Sequence, residues 1–172
     1  DGRLAARVVP PQPPGRRAAQ TMKERFAQLA EQYRRALLDD VMPFWQRHSL
    51  DRAHGGYLTC LDREGAVYDT DKYMWLQGRE LWTFAMLYNR VQRREDWLEA
   101  AECGFRFLRD HAMDEQGNWY FRLDRAGRAL VQPYSIPSDC FGAIGMAQYA
   151  VATGDDEAAA IARRTVRNIL GR

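Results

Sequence analysis

Residues 73–88 read YMWLQGRELWTFAMLY, a run in which 11 of 16 positions are apolar. Its only charged residues are Arg79 and Glu80, and the apolar residues surround the whole circumference of a helix. A helix that is hydrophobic on every side is normally buried on every side. The run therefore predicts a helix enclosed by other elements, and the flanking sequence indicates what encloses it.

Amphipathic segments lie before and after this run. Residues 23–48 and 95–110 repeat apolar residues at helical spacing, with Lys, Arg, Glu and Asp between them. This period predicts helices with one buried and one solvated face. Both segments are therefore expected to be outer helices that cover inner ones.

A second inner helix is predicted at residues 140–154, CFGAIGMAQYAVATG, which contain no charged residue. Gly142 and Gly145 lack side chains, so a neighbouring backbone is expected to approach the helix closely there. Asp155 or Asp156 is expected to cap a further outer helix, because aspartate side chains accept hydrogen bonds from the first free N–H groups of a helix. Outer and inner helices thus alternate along the chain.

An internal repeat accompanies this alternation. LDREG at residues 61–65 returns as LDRAG at residues 123–127, an offset of 62 residues. Apolar residues alternate around the glycine of each copy, which predicts a short β-hairpin. The repeated unit is an outer helix, a hairpin and an inner helix, and such units stack into a helical toroid whose axis is lined by inner helices. About two and a half units fit in the chain, so we expect only part of a ring.

The composition predicts a folded domain at residues 22–172, preceded by a segment of different composition at residues 1–21. Hydrophobic residues make up 46% of the 172 residues, and no apolar run approaches the roughly 18 residues of a membrane span. Residues 1–21 are rich in Pro and Arg without an apolar period, so a disordered basic leader is expected there. This leader holds four arginines against Asp1, and the rest of the chain has no basic excess for nucleic acid. Neither a nucleic-acid nor a membrane partner is predicted.

The cysteines and histidines predict no metal site. Cys60, Cys103 and Cys140 form no CxxC pair and are expected to be buried free thiols in a reducing cytoplasm. His48 and His54, with a nearby aspartate, match no known spacing of metal ligands.

Arg79 is the residue that most strongly suggests a binding site. A charge within an apolar helix must be paired or face a cavity, because burying it unpaired costs several kcal/mol. Trp75, Trp82 and Met86 share the helix face of Arg79. An indole beside a guanidinium suits a sugar, since the ring stacks on apolar sugar faces and the guanidinium binds oxygens. The alternative is a structural arginine that pairs with a carboxylate such as Glu80 or stacks on Trp82.

Acidic residues cluster in the loops at the ends of the buried helices. They are Asp62, Glu64, Asp69, Asp71 and Asp139. Two of them could serve as the acid and the nucleophile of a glycosidase. The alternative is that they form turns and caps, and Asp139 is well placed to cap the second inner helix.

Two long segments resemble the N-acylglucosamine 2-epimerase family. They are residues 40–89, DVMPFWQRHSLDRAHGGYLTCLDREGAVYDTDKYMWLQGRELWTFAMLYN, and residues 117–150, GNWYFRLDRAGRALVQPYSIPSDCFGAIGMAQYA. HGGYLTCLDR followed by KYMWLQGR is the specific part of the match. The resemblance implies an all-α fold, an (α/α)6 barrel with short β-hairpin insertions, of which this chain holds the N-terminal part.

The resemblance also implies an isomerase that interconverts N-acetylglucosamine and N-acetylmannosamine by removing and returning the proton at C2. It assigns the active-site cation to Arg79 and substrate contacts to Trp75, Tyr120 and Asp139. It implies a cytoplasmic protein that needs no cofactor, takes ATP as an allosteric activator and forms a homodimer at full length. The implied sugar substrate is an N-acylhexosamine. The resemblance assigns no residue of this chain to ATP binding or to the choice among N-acyl sugars.

One departure from the family limits the prediction. The two catalytic histidines and the glutamate that assists them belong to the second half of the family, and His48, His54 and His111 do not match them. Sister families, the cellobiose 2-epimerases and the mannose isomerases, share the Trp-x-x-x-Arg pair. A non-catalytic fragment that pairs with another chain through its inner helices is a further alternative.

We therefore expect residues 1–172 alone to catalyse no exchange at C2 of N-acetylglucosamine, because a cation without an acid–base pair cannot move the proton. Incubation in deuterated solvent with proton NMR of the C2 signal measures this. A steady, protein-dependent loss of the signal would overturn the expectation.

Overall fold

A computed structural model describes residues 21–134 and 136–172, so the predicted leader falls, apart from Thr21, outside the described residues. The prediction of alternating outer and inner helices is confirmed, because α3 and α5 pack against each other, α4 packs on α3 and α6 packs on α5. The helices are α1 (Met22–Arg35), α2 (Met42–His48), α3 (Met74–Arg90), α4 (Glu95–His111), α5 (Ile136–Thr153) and α6 (Asp156–Leu170), and a π-helical turn at Ala36–Val41 joins the first two.

Five short strands form two antiparallel sheets. They are β1 (Cys60–Leu61), β2 (Val67–Asp69), β3 (Lys72–Tyr73), β4 (Arg122–Leu123) and β5 (Ala129–Val131). β1 pairs with β2, and β3, β4 and β5 form a sheet in that order. Lys72 lies opposite Leu123, and Tyr73 lies opposite Arg122. Because β3 runs directly into α3, this sheet holds the start of the first inner helix against the hairpin of the second unit.

The two copies of the repeat have matching turns. Gly65 and Gly127 adopt φ values of 90° and 94°, which only glycine reaches without strain. Each faces the imidazole that ends the preceding outer helix, since an added Cβ would lie 2.3 Å from His48 Nδ1 or 2.5 Å from His111 Cγ. The two histidines therefore pack the hairpins onto the outer helices.

The first helix differs from the single amphipathic helix predicted over residues 23–48. It begins with a capping box in which the side chains of Thr21 and Glu24 each accept a backbone hydrogen bond from the other residue. It is then interrupted by the π-helical turn, and α1 has no buried residue. Phe26 and Tyr33 are 63% and 71% exposed, so the described elements do not cover its apolar face.

The inner helices meet at glycines. A Cβ on Gly78 would lie 2.6 Å from the carbonyl carbon of Phe141, and one on Gly145 would lie 2.6 Å from the carbonyl oxygen of Gly78. The close backbone approach predicted at Gly145 is confirmed. Gly142 is close to both a backbone and a side chain, because a Cβ on Gly78 would lie 2.7 Å from Gly142 N and a Cβ on Gly142 would lie 2.5 Å from the indole of Trp119.

The prediction that the inner helices are buried on every side is wrong. On α3, Arg79 is exposed, and on α5 the exposed residues Cys140, Ile144, Ala147 and Val151 recur at helical spacing along one face. The described elements cover α5 mainly from the sides of α3 and α6. Each inner helix therefore keeps one open face.

The core lies between the inner and outer helices. Its largest fully buried side chains include Tyr57, Phe84, Trp97 and Trp119. Burying a large apolar side chain contributes about 1.5–3 kcal/mol. Within the described ranges, no helix is both long and apolar enough to cross a membrane.

The three cysteines are free, as predicted, but their predicted burial is wrong. Cys60 and Cys103 are partly exposed, and Cys140 is exposed. Cys140 lies on the open face of α5, where no described element covers it.

Gly145→Ala is expected to destabilise the protein by about 1–3 kcal/mol, because the added methyl group would push the backbone of α3 away. Gly171→Ala is the matched control, since a Cβ at that position would lie no closer than 3.5 Å to its nearest neighbour. Urea denaturation followed by circular dichroism compares the two variants. Equal denaturation midpoints would contradict a tight contact between the inner helices.

Candidate functional site

The guanidinium of Arg79 lies close to two aromatic rings. Its Cζ is 5.4 Å from the ring centroid of Trp75, one turn earlier on α3, and 5.4 Å from that of Phe141 on α5. The two rings are 6.2 Å apart and inclined by 50°. Such cation–π contacts are worth about 0.5–2 kcal/mol each and orient the planar group. The sequence does not single out Phe141, because an aromatic residue in an apolar helix is usually part of a core.

The charge of Arg79 is not neutralised nearby. None of the ion pairs within residues 21–134 and 136–172 includes Arg79. Of the alternatives considered from the sequence, Glu80 turns toward Ser49, and the stacking partners are Trp75 and Phe141 rather than Trp82. An exposed guanidinium without a carboxylate partner is suited to bind oxygens of a ligand.

A cleft of about 270 Å³ opens beside Arg79, between α3 and the segment formed by the π-helical turn and α2. Its polar lining consists of Thr59, Arg79, Glu80 and Thr83. The walls are otherwise apolar and consist of Leu37, Val41, Met42, Trp45, Leu76 and Phe84. The combination of apolar walls and a few polar groups is typical of small-molecule sites.

Glu80 is a half-buried residue whose carboxyl group is enclosed by the protein and largely neutral at pH 7. Ser49 Oγ lies within hydrogen-bonding distance of both Trp45 O, at 2.7 Å, and Glu80 Oε1. The hydroxyl carries one proton, so it can donate to only one of these two acceptors at a time. Burial of the carboxyl group raises the pKa of Glu80 to about 8, against the opposing effect of the Ser49 hydrogen bond. A neutral Glu80 leaves the charge of Arg79 free for a ligand.

A buried charge cluster joins the two repeated units. Lys72 Nζ donates to Asp51 Oδ2 at 3.1 Å, to Gly55 O at 2.5 Å and to Arg125 O at 2.9 Å, and lies 4.1 Å from the ring centroid of Phe107. Arg125 adds two bonds to Asp51, at 2.9 and 3.0 Å. Although burial acts in the opposite direction, Arg125 and Lys72 hold the pKa of Asp51 well below its usual range. The three N–H donors of Lys72 all have acceptors within the protein, which favours a structural role for the cluster. Its residues are too far apart in sequence to be associated from sequence alone.

Asp139 lies in the first turn of α5 rather than at its cap, and its side chain is buried. It accepts a bond from the Trp119 N–H at 3.4 Å and two bonds from Arg172, at 3.0 and 3.2 Å. The predicted cap is therefore wrong, because the helix already begins at Ile136. The partners of Asp139 within the described chain are structural, and its contact with a substrate stays a prediction.

Tyr120 lies between the buried Trp119 and the half-buried Phe121, just before β4. It is half-buried against the core, and its N–H donates to Ala112 O at 2.9 Å. Phe121 packs 5.9 Å from the ring of Tyr73, at the start of α3. The structure thus places Tyr120 beside the sheet that precedes the inner helix, and its contact with a sugar stays a prediction.

Asp62 and Asp69 accept hydrogen bonds from nearby backbone N–H groups, as turn-forming residues do. Asp62 accepts from the N–H of Glu64 at 3.0 Å, and Asp69 accepts from that of Asp71 at 2.9 Å. Asp71 also pairs with Arg122 at 3.6 Å. These partners favour the structural alternative over a glycosidase pair.

The ligands considered for a metal site have other partners. Asp51 is held by Lys72 and Arg125, and His48 packs on Gly65. Among the residues that the structure describes, no group of three or more His, Cys, Asp or Glu side chains is placed to hold a metal ion.

The sequence model of the N-acylglucosamine 2-epimerase (GlcNAc 2-epimerase) family matches residues 56–172. The chain belongs to this family. It is 40% identical to the N-acylglucosamine 2-epimerase of Homo sapiens over 144 residues, which cover 81% of this chain and 32% of the human protein. It is 31% identical to the cellobiose 2-epimerase of Bacteroides fragilis over 143 residues, which cover 82% of this chain and 36% of that protein. The chain thus spans about a third of the length of these relatives.

Solved structures of two sugar epimerases have the same fold over the part that matches this chain. A sugar epimerase from a ruminal bacterium superposes with a TM-score of 0.75 and 26% identity, over 82% of this chain and 36% of that chain. The cellobiose 2-epimerase of Spirochaeta thermophila superposes with a TM-score of 0.74 and 25% identity, over 87% of this chain and 37% of that chain. The predicted fold class is confirmed: a helical part of an (α/α)6 barrel with short β-hairpin insertions.

The raised pKa of Glu80 predicts a pH-dependent stability. Between the unfolded pKa, about 4.3, and the folded value of about 8, the unfolded chain ionises while the folded protein keeps the proton. The free energy of unfolding contributed by Glu80 therefore falls as the pH rises through this window. Glu80→Gln cannot ionise, so its stability relative to the wild type should increase from pH 4.5 to pH 8.

Urea denaturation at several pH values measures this difference. Ser49→Ala is an informative companion variant, because it removes the hydrogen bond that lowers the pKa of Glu80. In this variant the free energy of unfolding should continue to fall at higher pH than in the wild type. Parallel stability curves for the wild type and Glu80→Gln would show that Glu80 is ionised in the folded protein.

Proposed function

We propose that this chain forms part of the catalytic domain of a carbohydrate 2-epimerase that interconverts N-acetylglucosamine and N-acetylmannosamine. Family membership and the 40% identity to the human relative support the reaction class. The observation on which the proposal depends is the guanidinium of Arg79, which has no ion-pair partner among the described residues and lies near Trp75 and Phe141 beside an apolar cleft.

The chemistry explains why a cation is needed there. Removing the proton at C2 of an open-chain sugar places negative charge on the oxygen of the adjacent C1 carbonyl. A preorganised positive group at that oxygen lowers the barrier, because it stabilises the charge as it develops. Arg79 is suited to this task, since Glu80 is largely neutral and no other described carboxylate competes for the guanidinium.

The aromatic residues have a complementary task. Contacts with Trp75 and Phe141 restrict the positions of the planar guanidinium, so less freedom is lost when it binds oxygen atoms. The proposal includes Trp75, Tyr120 and Asp139 as residues of the sugar site. For Tyr120 and Asp139 this rests on the family resemblance.

The acid and base lie outside this chain in the proposal. His48 and His111 pack on hairpin glycines, and His54 is exposed in the turn before Gly55. The resemblance implies two catalytic histidines in the second half of the family. ATP as an activator, a homodimer and a cytoplasmic location likewise stay predictions from the resemblance.

A cellobiose 2-epimerase is the second candidate, favoured by the 31% identity to the relative of Bacteroides fragilis. The two candidates differ in substrate size and in the N-acyl group. A comparison of kcat/KM for N-acetylglucosamine, cellobiose and mannose with the complete protein separates them. Preference for N-acetylglucosamine supports the first proposal, and preference for cellobiose supports the second.

Arg79→Ala in the complete protein is expected to lower kcat by about 100- to 1000-fold, the usual loss when one oxyanion donor is removed. Arg79→Lys keeps the charge but loses the planar fork, so it should recover only part of the activity. Arg163→Ala, which removes an exposed arginine of α6, is the control and should leave kcat unchanged. Deuterium incorporation at C2, followed by NMR, measures all three, and an active Arg79→Ala would refute the assignment.

A further inference from the structure

Gln77 is a buried amide with an unusual pair of bonds. It lies in the first turn of α3, and its side chain is fully buried. Its Oε1 accepts from the N–H of Tyr57 at 2.9 Å, and its Nε2 donates to the carbonyl oxygen of Tyr57 at 2.7 Å. One side chain thus satisfies both backbone groups of one residue, as a neighbouring strand would.

Tyr57 is itself immobilised. It is fully buried, and its hydroxyl donates to Ala100 O on α4 at 2.9 Å. Gly104 on the same helix makes room for it, because a Cβ there would lie 2.2 Å from the Tyr57 hydroxyl. Gln77 therefore ties α3 to a point that is anchored on the outer helix.

The amide of Gln77 packs against the HGGY motif, residues 54–57. A Cβ on Gly56 would lie 2.8 Å from Gln77 Oε1, and Gly56 has a φ of 68°. The Gly56 N–H also donates to Cys103 O on α4 at 3.0 Å. A larger residue at position 56 would collide with the amide and strain the turn. The motif thus has a structural task in addition to marking the family.

Helix geometry links Gln77 to the candidate site. Trp75 precedes Gln77 by two residues and Arg79 follows it by two, so both lie about 160° around the helix from Gln77. They are therefore neighbours on the face opposite the amide. We propose that Gln77 is a positioning residue that sets the rotation of α3 about its axis and thereby aims Arg79 at the substrate. The inference rests on the proposed function of Arg79.

The test measures kcat and KM of the complete protein carrying Gln77→Met. This substitution keeps the volume but leaves the N–H and C=O of Tyr57 without their partners, so α3 can turn. We expect kcat to fall about 10- to 100-fold, because a misplacement of about 1 Å has effects of this size. KM should change less, since Arg79 acts mainly on charge that develops during the reaction.

Asn89→Leu is the control for a general loss of stability. Asn89 lies on the last turns of α3 and donates to Gln148 O and Oε1 at 3.0 and 2.8 Å. It is ten residues beyond Arg79, about 15 Å along the axis. The substitution should lower the melting temperature and leave kcat unchanged, with all assays run below the melting transition of each variant.

Two further variants distinguish positioning from a structural role. In the Arg79→Ala background, Gln77→Met should lower kcat no further, because the group that it aims is already absent. Gln77→Glu, which donates to the carbonyl oxygen of Tyr57 only when protonated, should regain kcat relative to the wild type as the pH falls. This variant provides the test if Gln77→Met does not fold.

Each contrary result has a separate meaning. An unchanged kcat in Gln77→Met, or a further loss in the double variant, would overturn the positioning role while Arg79→Ala remains impaired. A pH-independent ratio between Gln77→Glu and the wild type would also overturn it. An unchanged kcat in Arg79→Ala would instead overturn the proposed function on which the inference rests.

Discussion

The backbone contact between the two inner helices at Gly78 and Gly145 is the constraint on which the rest of the structure depends. With hydrogen in place of a side chain at both positions, α3 and α5 approach until main-chain atoms touch. Only this approach brings Phe141 of α5 over Arg79 of α3. The same geometry places the outer helices on the far sides of the pair, where each buries its own apolar face. The candidate site thus combines residues of two repeated units because Gly78 and Gly145 carry no side chains.

Charged side chains near the inner helices lie in two contrasting environments. Between the units, Asp51 and Lys72 are fully buried as an ion pair, with further bonds that satisfy the remaining donors and acceptors. Beside the cleft, burial raises the pKa of the Glu80 carboxyl group to about 8, and the guanidinium of Arg79 is exposed. The first arrangement fixes loops, since breaking a buried pair is strongly unfavourable. The second leaves one cation available, which is the requirement for binding an oxyanion.

The open faces of the molecule agree with its length relative to the family. The chain spans about a third of its curated relatives, and the apolar faces of α1 and α5 are not covered by the described elements. A helical unit buries its hydrophobic surface only against its neighbours in a stack. The buried polar contacts of Tyr57 with Gln77 of α3 and with Ala100 of α4 lie where two units do meet, and there both partners are present.

Periodicity and short motifs in the sequence determined the helices, their outer and inner order, both hairpins, and the choice of Trp75 and Arg79. These features depend on residues a few positions apart, whose spacing decides which face of a helix is apolar. Only the tertiary structure decided the contacts of Phe141 and Gln77 and the raised pKa of Glu80. Their partners lie between 20 and 62 residues away along the chain. Burial and hydrogen bonding between such distant segments arise only when the helices pack, so no local pattern specifies them.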